Sequence, residues 1–299
     1  MPSILFLRDP GPAAPGNDNH ERLPAAFRRA GWRAEVADHD SLQRAQGALL
    51  CGAGPVAAFD RVWCLGFGAR VSFLDRMQLL TLLPEEQLVT SATALLRLHG
   101  KILWHEHMPP TFLSCDPGYL LAQTGRGDDW VLKPPAGAYG RDLYLLPGEA
   151  PAQDKARLLE RVTHGGRYWI LQRYLPQAGD GEKRVLFAGG LLLGSYLRRP
   201  AVPLVPGAAR DLATPVPVAN LSAGGQAAPC ELAAEERRLA GKVADELMAQ
   251  GVGFAAIDLV SPYLMEVNIA NPGGLKTLAG LTDDDPADAV VAALVDLWR

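Results

Sequence analysis

Cysteine is sparse in this sequence: Cys51, Cys64, Cys115 and Cys230 are the four in 299 residues. None forms a CxxC pair, so neither a thiolate zinc site nor a disulfide framework is encoded, and a reducing compartment suits the chain. Long apolar runs are missing too. No stretch reaches the roughly 18 uninterrupted apolar residues of a membrane span, and the opening MPSILFLRDP is too short and wrongly flanked for a signal peptide. The expectation is a cytoplasmic protein with no membrane partner. Positive charge is not in excess: 29 Lys and Arg stand against 33 Asp and Glu, a formal net charge of −4. That balance provides no basic field for nucleic acid. Internal repeats and low-complexity tracts are absent as well.

What remains is a soluble globular balance, 48% apolar and 21% charged, long enough for two or three compact units. Residues 3–7 read as a buried strand, 21–30 as a helix stopped by Gly31, and 32–36 as a second strand. This order suggests a parallel α/β unit, with another strand over 59–66 and a helix over 71–83. Thr90 and Ser91 can cap a helix from Ala92. His105 and His107 stand two apart and do not share a helix face, which argues against a metal pair.

The most informative stretch is 253–268, GFAAIDLVSPYLMEVN. It reads as two strands joined at Ser261-Pro262. Alternation puts Ile257, Leu259, Met265, Val267 and Ile269 on a core face, with Asp258, Glu266 and Asn268 on the other. A turn with an odd number of residues would set Asp258 directly across from Glu266. Facing carboxylates repel unless a cation sits between them. With an amide oxygen beside them they form an oxygen-only set suited to Mg²⁺ and its phosphates. The bland alternative is a hairpin with one polar face toward water.

A second hairpin, WVLKPPAGAYGRDLYLLP at 130–147, carries Lys133 to a Pro-Pro turn and a glycine-bearing loop. Its backbone N–H groups can fold over phosphates. It is not a Walker loop, because no GK[ST] follows the glycines. Further strands are read at 168–176, 180–187 and 191–199, a Pro-rich loop at 202–218, a long amphipathic helix at 231–250 and a short helix at 288–298.

The runs WVLKPPAGAYG, LQRYLP, GEKRVLF, ANLSAGG and FAAIDLVSPYLMEVN, in this order and spacing, resemble the ATP-grasp ligases, and within them bacterial glutathione synthetase. The likeness covers about Leu88 onward. It implies an α/β (α+β) architecture, an ATP-grasp fold behind an N-terminal parallel α/β (pre-ATP-grasp) domain, divided at 1–90, 91–170 and 171–299. It further implies ATP between two α+β units, with Lys101 and Lys133 on the phosphates and Gly137, Tyr139 and Gly140 in a closing loop. Gln172, Arg173, Tyr174 and Leu175 match the adenine hinge, Asp180 or Glu182 the ribose contact, and Asn220 the third motif. Asp258, Glu266 and Asn268 match ligands of two Mg²⁺ ions, with Mn²⁺ as a substitute. Arg184 and Arg199 match arginines that steady the transferred phosphate and the substrate carboxylate.

The activity implied is ATP-dependent joining of a small-molecule carboxylate and an amine through an acyl phosphate, in a monomer or a homo-oligomer. The departures fall on the substrate side. CLGFGARVSFLD replaces a basic Asp-Pro-Pro segment, with Arg70 and Arg76 as the nearest substitutes. Val218-Ala219 stands where the family has an arginine, and Asn271-Pro-Gly-Gly274 where it has Ser-Pro-Thr. A different substrate pair, a ligase acting on a protein tail, and a nucleotide-binding regulatory protein without turnover remain as alternatives.

Overall fold

The computed structural model describes residues 1–10, 16–98, 101–125, 127–135, 142–201, 219, 221, 224–282 and 284–299. Ser3–Arg8 (β1) is apolar almost throughout and buried on both faces, as a central parallel strand requires. Asn19–Arg29 (α1) crosses to Arg33–Asp38 (β2). Gly31, at φ 82°, supplies the left-handed residue that ends the crossover helix. A small antiparallel meander, Gln43–Ala45 (β3), Ala48–Cys51 (β4) and Gly54–Pro55 (β5), had no signal in the periodicity. Arg61–Leu65 (β6) then pairs with β1, giving a parallel sheet ordered β2-β1-β6. Phe73–Leu80 (α2) and Ala92–Leu98 (α3) follow, and the Ser91 hydroxyl accepts the Ala94 N–H at the start of α3.

A second, antiparallel sheet is ordered β7-β10-β8-β9. Its parts are Thr111–Ser114 (β7), Pro117–Gln123 (α4), Trp130–Lys133 (β8), Tyr144–Leu146 (β9), Ala152–Thr163 (α5) and Trp169–Arg173 (β10). Its core is its own: Leu158, Leu159 and Val162 of α5 pack on Trp130, Leu132 and Trp169.

The third sheet, ordered β13-β12-β11-β14-β15, is antiparallel throughout. It contains Glu182–Ala188 (β11), Leu191–Arg199 (β12), Gln226–Pro229 (β13), Phe254–Val260 (β14) and Tyr263–Asn268 (β15). Ala234–Ala249 (α6), Leu275–Leu281 (α7) and Pro286–Leu297 (α8) cover it. The first and third sheets share their cores. Phe6, Phe27 and Trp63 cluster with Phe254, Val290 and Leu294, while Leu5 and Leu7 join Val243, Leu247 and Ile257. Polar clasps reinforce the contact: Arg22 reaches Asp285 at 2.9 Å and Arg29 reaches Asp288 at 2.7 Å.

At the carboxyl ends of β1, β2 and β6 lie Asp9, His39 and Gly66. Asp9 accepts the Gly68 N–H, and Arg76 donates to the Phe67 and Ala69 carbonyls and to the Ser72 hydroxyl. Burial, aided by the Arg76 charge, pushes the His39 imidazole down to about 4. An unfolded histidine titrates near about 6.5, so the unfolded chain binds more protons in between, and this group's stability is lost as pH falls from about 6.5 toward 4. The expected loss is on the order of 3 kcal/mol. Urea titrations from pH 7 to 4 should show His39→Gln with a shallower acid slope than the parent; equal slopes would remove His39 as the source.

Candidate active site

The β14–β15 hairpin places the acidic residues. Its turn has two residues, Ser261 and Pro262, and Val260 faces Tyr263 while Leu259 faces Leu264. A plain register would then put Asp258 opposite Met265. Instead the register jumps between Asp258 and Leu259, and Asp258 faces Glu266, with Ala256 facing Asn268. Met265 is the extra residue of a β-bulge. The facing pair therefore comes from the bulge, not from an odd turn. The same bulge corrects the core reading: Leu264 and Val267 are buried three apart, while Met265 is only half-buried.

Asp258 is 1% exposed and fully engaged. Arg184 on β11 holds it bidentately, Nε to Oδ1 at 2.9 Å and a terminal nitrogen to Oδ2 at 2.8 Å. Arg198 on β12 reaches Oδ1 at 2.8 Å and also Glu182 Oε2 at 2.9 Å. Burial alone would raise the Asp258 pKa, but the two guanidiniums hold it below the usual carboxylate range. Glu182 lacks that double clamp, and burial raises it despite Arg198. Arg184 also donates to the Gly273 carbonyl at 3.0 Å, tying the loop after β15 to the cluster. Asn268 offers its amide nitrogen to Asp258 Oδ2 at 3.4 Å.

Two lysines complete the site. Lys101 Nζ lies 3.0 Å from Glu266 Oε1. Lys133, at the end of β8, donates to Gln172 Oε1 at 2.8 Å. Its pKa is lowered to about 8, first by burial and then by the Lys101 charge. Next to Gln172 the chain leaves the second sheet. The Arg173 N–H goes to the Pro110 carbonyl and the Tyr174 N–H to the Asp129 carbonyl, both at 2.9 Å. Among the described residues the Leu175 N–H has no hydrogen-bond partner. Tyr174 and Leu175 are buried, while Arg173 is exposed and paired with Asp128.

Several expectations are placed differently. Arg199 is exposed, one residue along from the cluster, and the buried cation there is Arg198, which sits across from Glu182. The two-residue period of a strand forces one arginine in and the other out. Asp180 is exposed just before β11, and Glu182 is the acid that meets the cluster. Arg76 is consumed by carbonyls and offers no substrate grip, while Arg70 is exposed. Gly137, Tyr139, Gly140 and Asn220 lie outside the described residues, as do Arg141 and the Pro-rich loop 202–218.

The donors fit a hard divalent cation only in part by themselves. Among the described residues no three Asp, Glu, His or Cys side chains gather in a metal cluster. The set is oxygen-only, and Glu266, whose side chain is 31% exposed, is its reachable carboxylate. Such a set suits Mg²⁺ that brings most of its ligands as water and phosphate oxygens.

Residues 100–283 match the family described as the ATP-grasp domain of prokaryotic glutathione synthetase. The glutathione synthetase of Parasynechococcus marenigrum is 34% identical over 199 residues, covering 66% of this chain and 60% of that protein. That of Gloeobacter violaceus is 28% identical over 331 residues, covering 99% and 97%. This chain spans about three-fifths of the length of the Parasynechococcus and Prochlorococcus synthetases it matches. Among solved structures, a D-cycloserine synthetase superposes with TM-score 0.70 at 20% identity over 99% of this chain and all of that one. An ATP-grasp ligase complexed with a minimal precursor superposes with TM-score 0.68 at 15% identity over 100% and 99%. These two likenesses show the ATP-grasp fold.

Proposed function

Because this chain belongs to the prokaryotic glutathione synthetase ATP-grasp family, we propose that it is an ATP-dependent carboxylate–amine ligase working through an acyl phosphate. The observation that carries the reading is one face of the β14–β15 pair bearing Asp258, Glu266 and Asn268, with Lys101 in contact with Glu266 and Lys133 within reach of the same charges. A carboxylate is a poor electrophile until one oxygen becomes a leaving group. In the reading, a substrate carboxylate oxygen attacks the γ-phosphorus and ADP departs. The amine nitrogen then attacks the acyl carbon, inorganic phosphate leaves, and the nitrogen gives up a proton.

Lys101 and Lys133 would meet the phosphates as point charges. Arg184 and Arg198 keep Asp258 charged and immobile, so that less reorganisation is needed as charge develops. A divalent cation held by Glu266 and Asn268, with the charge of the arginine-bound Asp258 behind them, would supply charge neutralisation at the transferred phosphoryl group. Two Mg²⁺ ions, or Mn²⁺ in their place, belong to this reading. So do a cytoplasmic location and the three-part division at residues 90 and 170, although the first and third parts share their cores. Among the described residues no helix is long and apolar enough to cross a membrane.

The name of its relatives makes γ-glutamylcysteine and glycine the first substrates to try. A second reading, a different pair, is favoured by the loop after β15. Asn19 binds Asn271 Oδ1 at 2.9 Å and the Pro272 carbonyl at 3.0 Å, and Asn17 binds the Asn271 carbonyl at 3.1 Å. In this reading, the loop that stands where the family has Ser-Pro-Thr is held by uncharged amides. Phosphate release from a panel of carboxylates crossed with amines tests both readings. ADP and phosphate that require both partners support a ligase. Nucleotide binding without turnover in any pair would point to a regulatory protein, and a highest kcat/KM for γ-glutamylcysteine with glycine would end the second reading.

A further inference from the structure

Lys133 is held by a chain of hydrogen bonds that crosses three strands. Lys133 Nζ donates to Gln172 Oε1 at 2.8 Å, Gln172 Nε2 donates to Thr111 Oγ1 at 2.9 Å, and Thr111 Oγ1 donates to the Pro109 carbonyl at 2.6 Å. Thr111 and Gln172 face each other across β7 and β10. Gln172 is 2% exposed, so its amide cannot turn to water for a substitute partner.

The direction of this chain follows from donor and acceptor chemistry. A carbonyl only accepts, so the single hydroxyl proton of Thr111 is committed to Pro109. Its oxygen can then only accept, which fixes the Gln172 nitrogen on the threonine side. The amide oxygen is left facing Lys133. An ammonium only donates, and a reversed amide would set NH₂ against NH₃⁺. Among the described residues Lys133 spends one N–H, on Gln172, and in the reading the other two meet a ligand.

We propose that Thr111 is a positioning residue for nucleotide binding: its hydroxyl locks the Gln172 amide in the one orientation that holds Lys133 in place. Thr111 touches no ligand in this role and acts through Gln172. The inference rests on the reading of Lys133 as a phosphate-binding lysine. It also accounts for a buried glutamine immediately before the hinge, where an apolar residue would pack without a hydrogen-bond requirement.

The test is calorimetric binding of Mg·ADP together with the rate at which an amine-reactive reagent labels Lys133, read by mass spectrometry. Thr111→Val removes the hydroxyl at nearly constant shape and is expected to weaken Mg·ADP about five- to twenty-fold. Labelling of Lys133 should rise about two-fold or more, because the amine has lost its fixed acceptor. Thr111→Ser should bind within about two-fold of the parent. Thr111→Ala replaces the valine variant if that one does not fold. The decisive arm is the Gln172→Glu background. A carboxylate shows an oxygen to Lys133 whichever way it turns, so there Thr111→Val should have no further effect on affinity or labelling. An unchanged affinity in Thr111→Val, a serine variant as weak as the valine one, or a full valine effect in the Gln172→Glu background would each overturn the role. A parent protein that binds no Mg·ADP would overturn the ATP reading itself.

Discussion

Glu266→Gln is expected to lower Mg²⁺-dependent ADP formation by about a thousand-fold, the upper end of what removing one electrostatic contact costs in a preorganised site. The change keeps the shape of the side chain and removes only its charge. Glu266 is the reachable carboxylate of the set, lying across from Asp258 and 3.0 Å from Lys101. That ion pair borders solvent, so the protein should lose no more than about 1 kcal/mol of stability. The two readouts separate the roles. A variant that keeps ordinary Mg²⁺-dependent turnover would remove Glu266 from the metal site. One that loses activity by melting would show the residue to be structural.

Asp258→Ala is expected to act in the opposite manner, on folding first. The substitution strands the Arg184 and Arg198 guanidiniums, both beside a residue 1% exposed. Breaking a buried pair by removing one partner costs about 3–5 kcal/mol. Urea denaturation at neutral pH should show that loss, and a loss under about 1 kcal/mol would mean the arginines find other partners. The pH dependence has a definite sign. The folded-state pKa of Asp258 is depressed, so its contribution is complete above the unfolded carboxylate value, near about 4, and is lost as pH falls through the lower folded value. Below about pH 4 the parent should therefore lose stability with acid faster than Asp258→Ala.

How much of this was legible in the sequence depends on where strands keep their period. Much of the order of strands and helices was readable, because β1, β8, β10, β11 and β14 carry strong apolar signals and Gly31 marks a helix end, but α4, β13 and α7 were not. The acidic set was readable as a set, since Asp258, Glu266 and Asn268 share chemistry whatever their exact register. That Asp258 faces Glu266 was readable too, but the bulge that brings it about was not. Two bulges set the site: one leaves Met265 unpaired, and the other lies where β11 meets β12, between Leu186 and Phe187, leaving Leu193 unpaired. Each shifts the inward face by one residue. Two adjacent arginines on β12 cannot be told apart without knowing that second bulge, which turns Arg198 rather than Arg199 toward Asp258. A bulge depends on pairing between strands, so a single strand's pattern carries no mark of it. The Thr111–Gln172 contact was hidden for a related reason: its members are 61 residues apart, and neither is unusual alone. The β3–β5 meander has strands of three, four and two residues, too short for an alternation to be read.

The clasp between α1 and α8 has a consequence for the order in which the chain is made. Arg22 and Asp285 are 263 residues apart, and Phe27 stacks on Trp298. The apolar face of α1 is completed by residues that the ribosome adds last of all those described. At about 5–20 residues per second, α1 waits roughly 15–50 s for the helix that packs against it. Through that interval Phe27, Trp32 and the outer side of β1 have no native partner from α8. The early part of the chain can reach its final packing only after synthesis has passed α8.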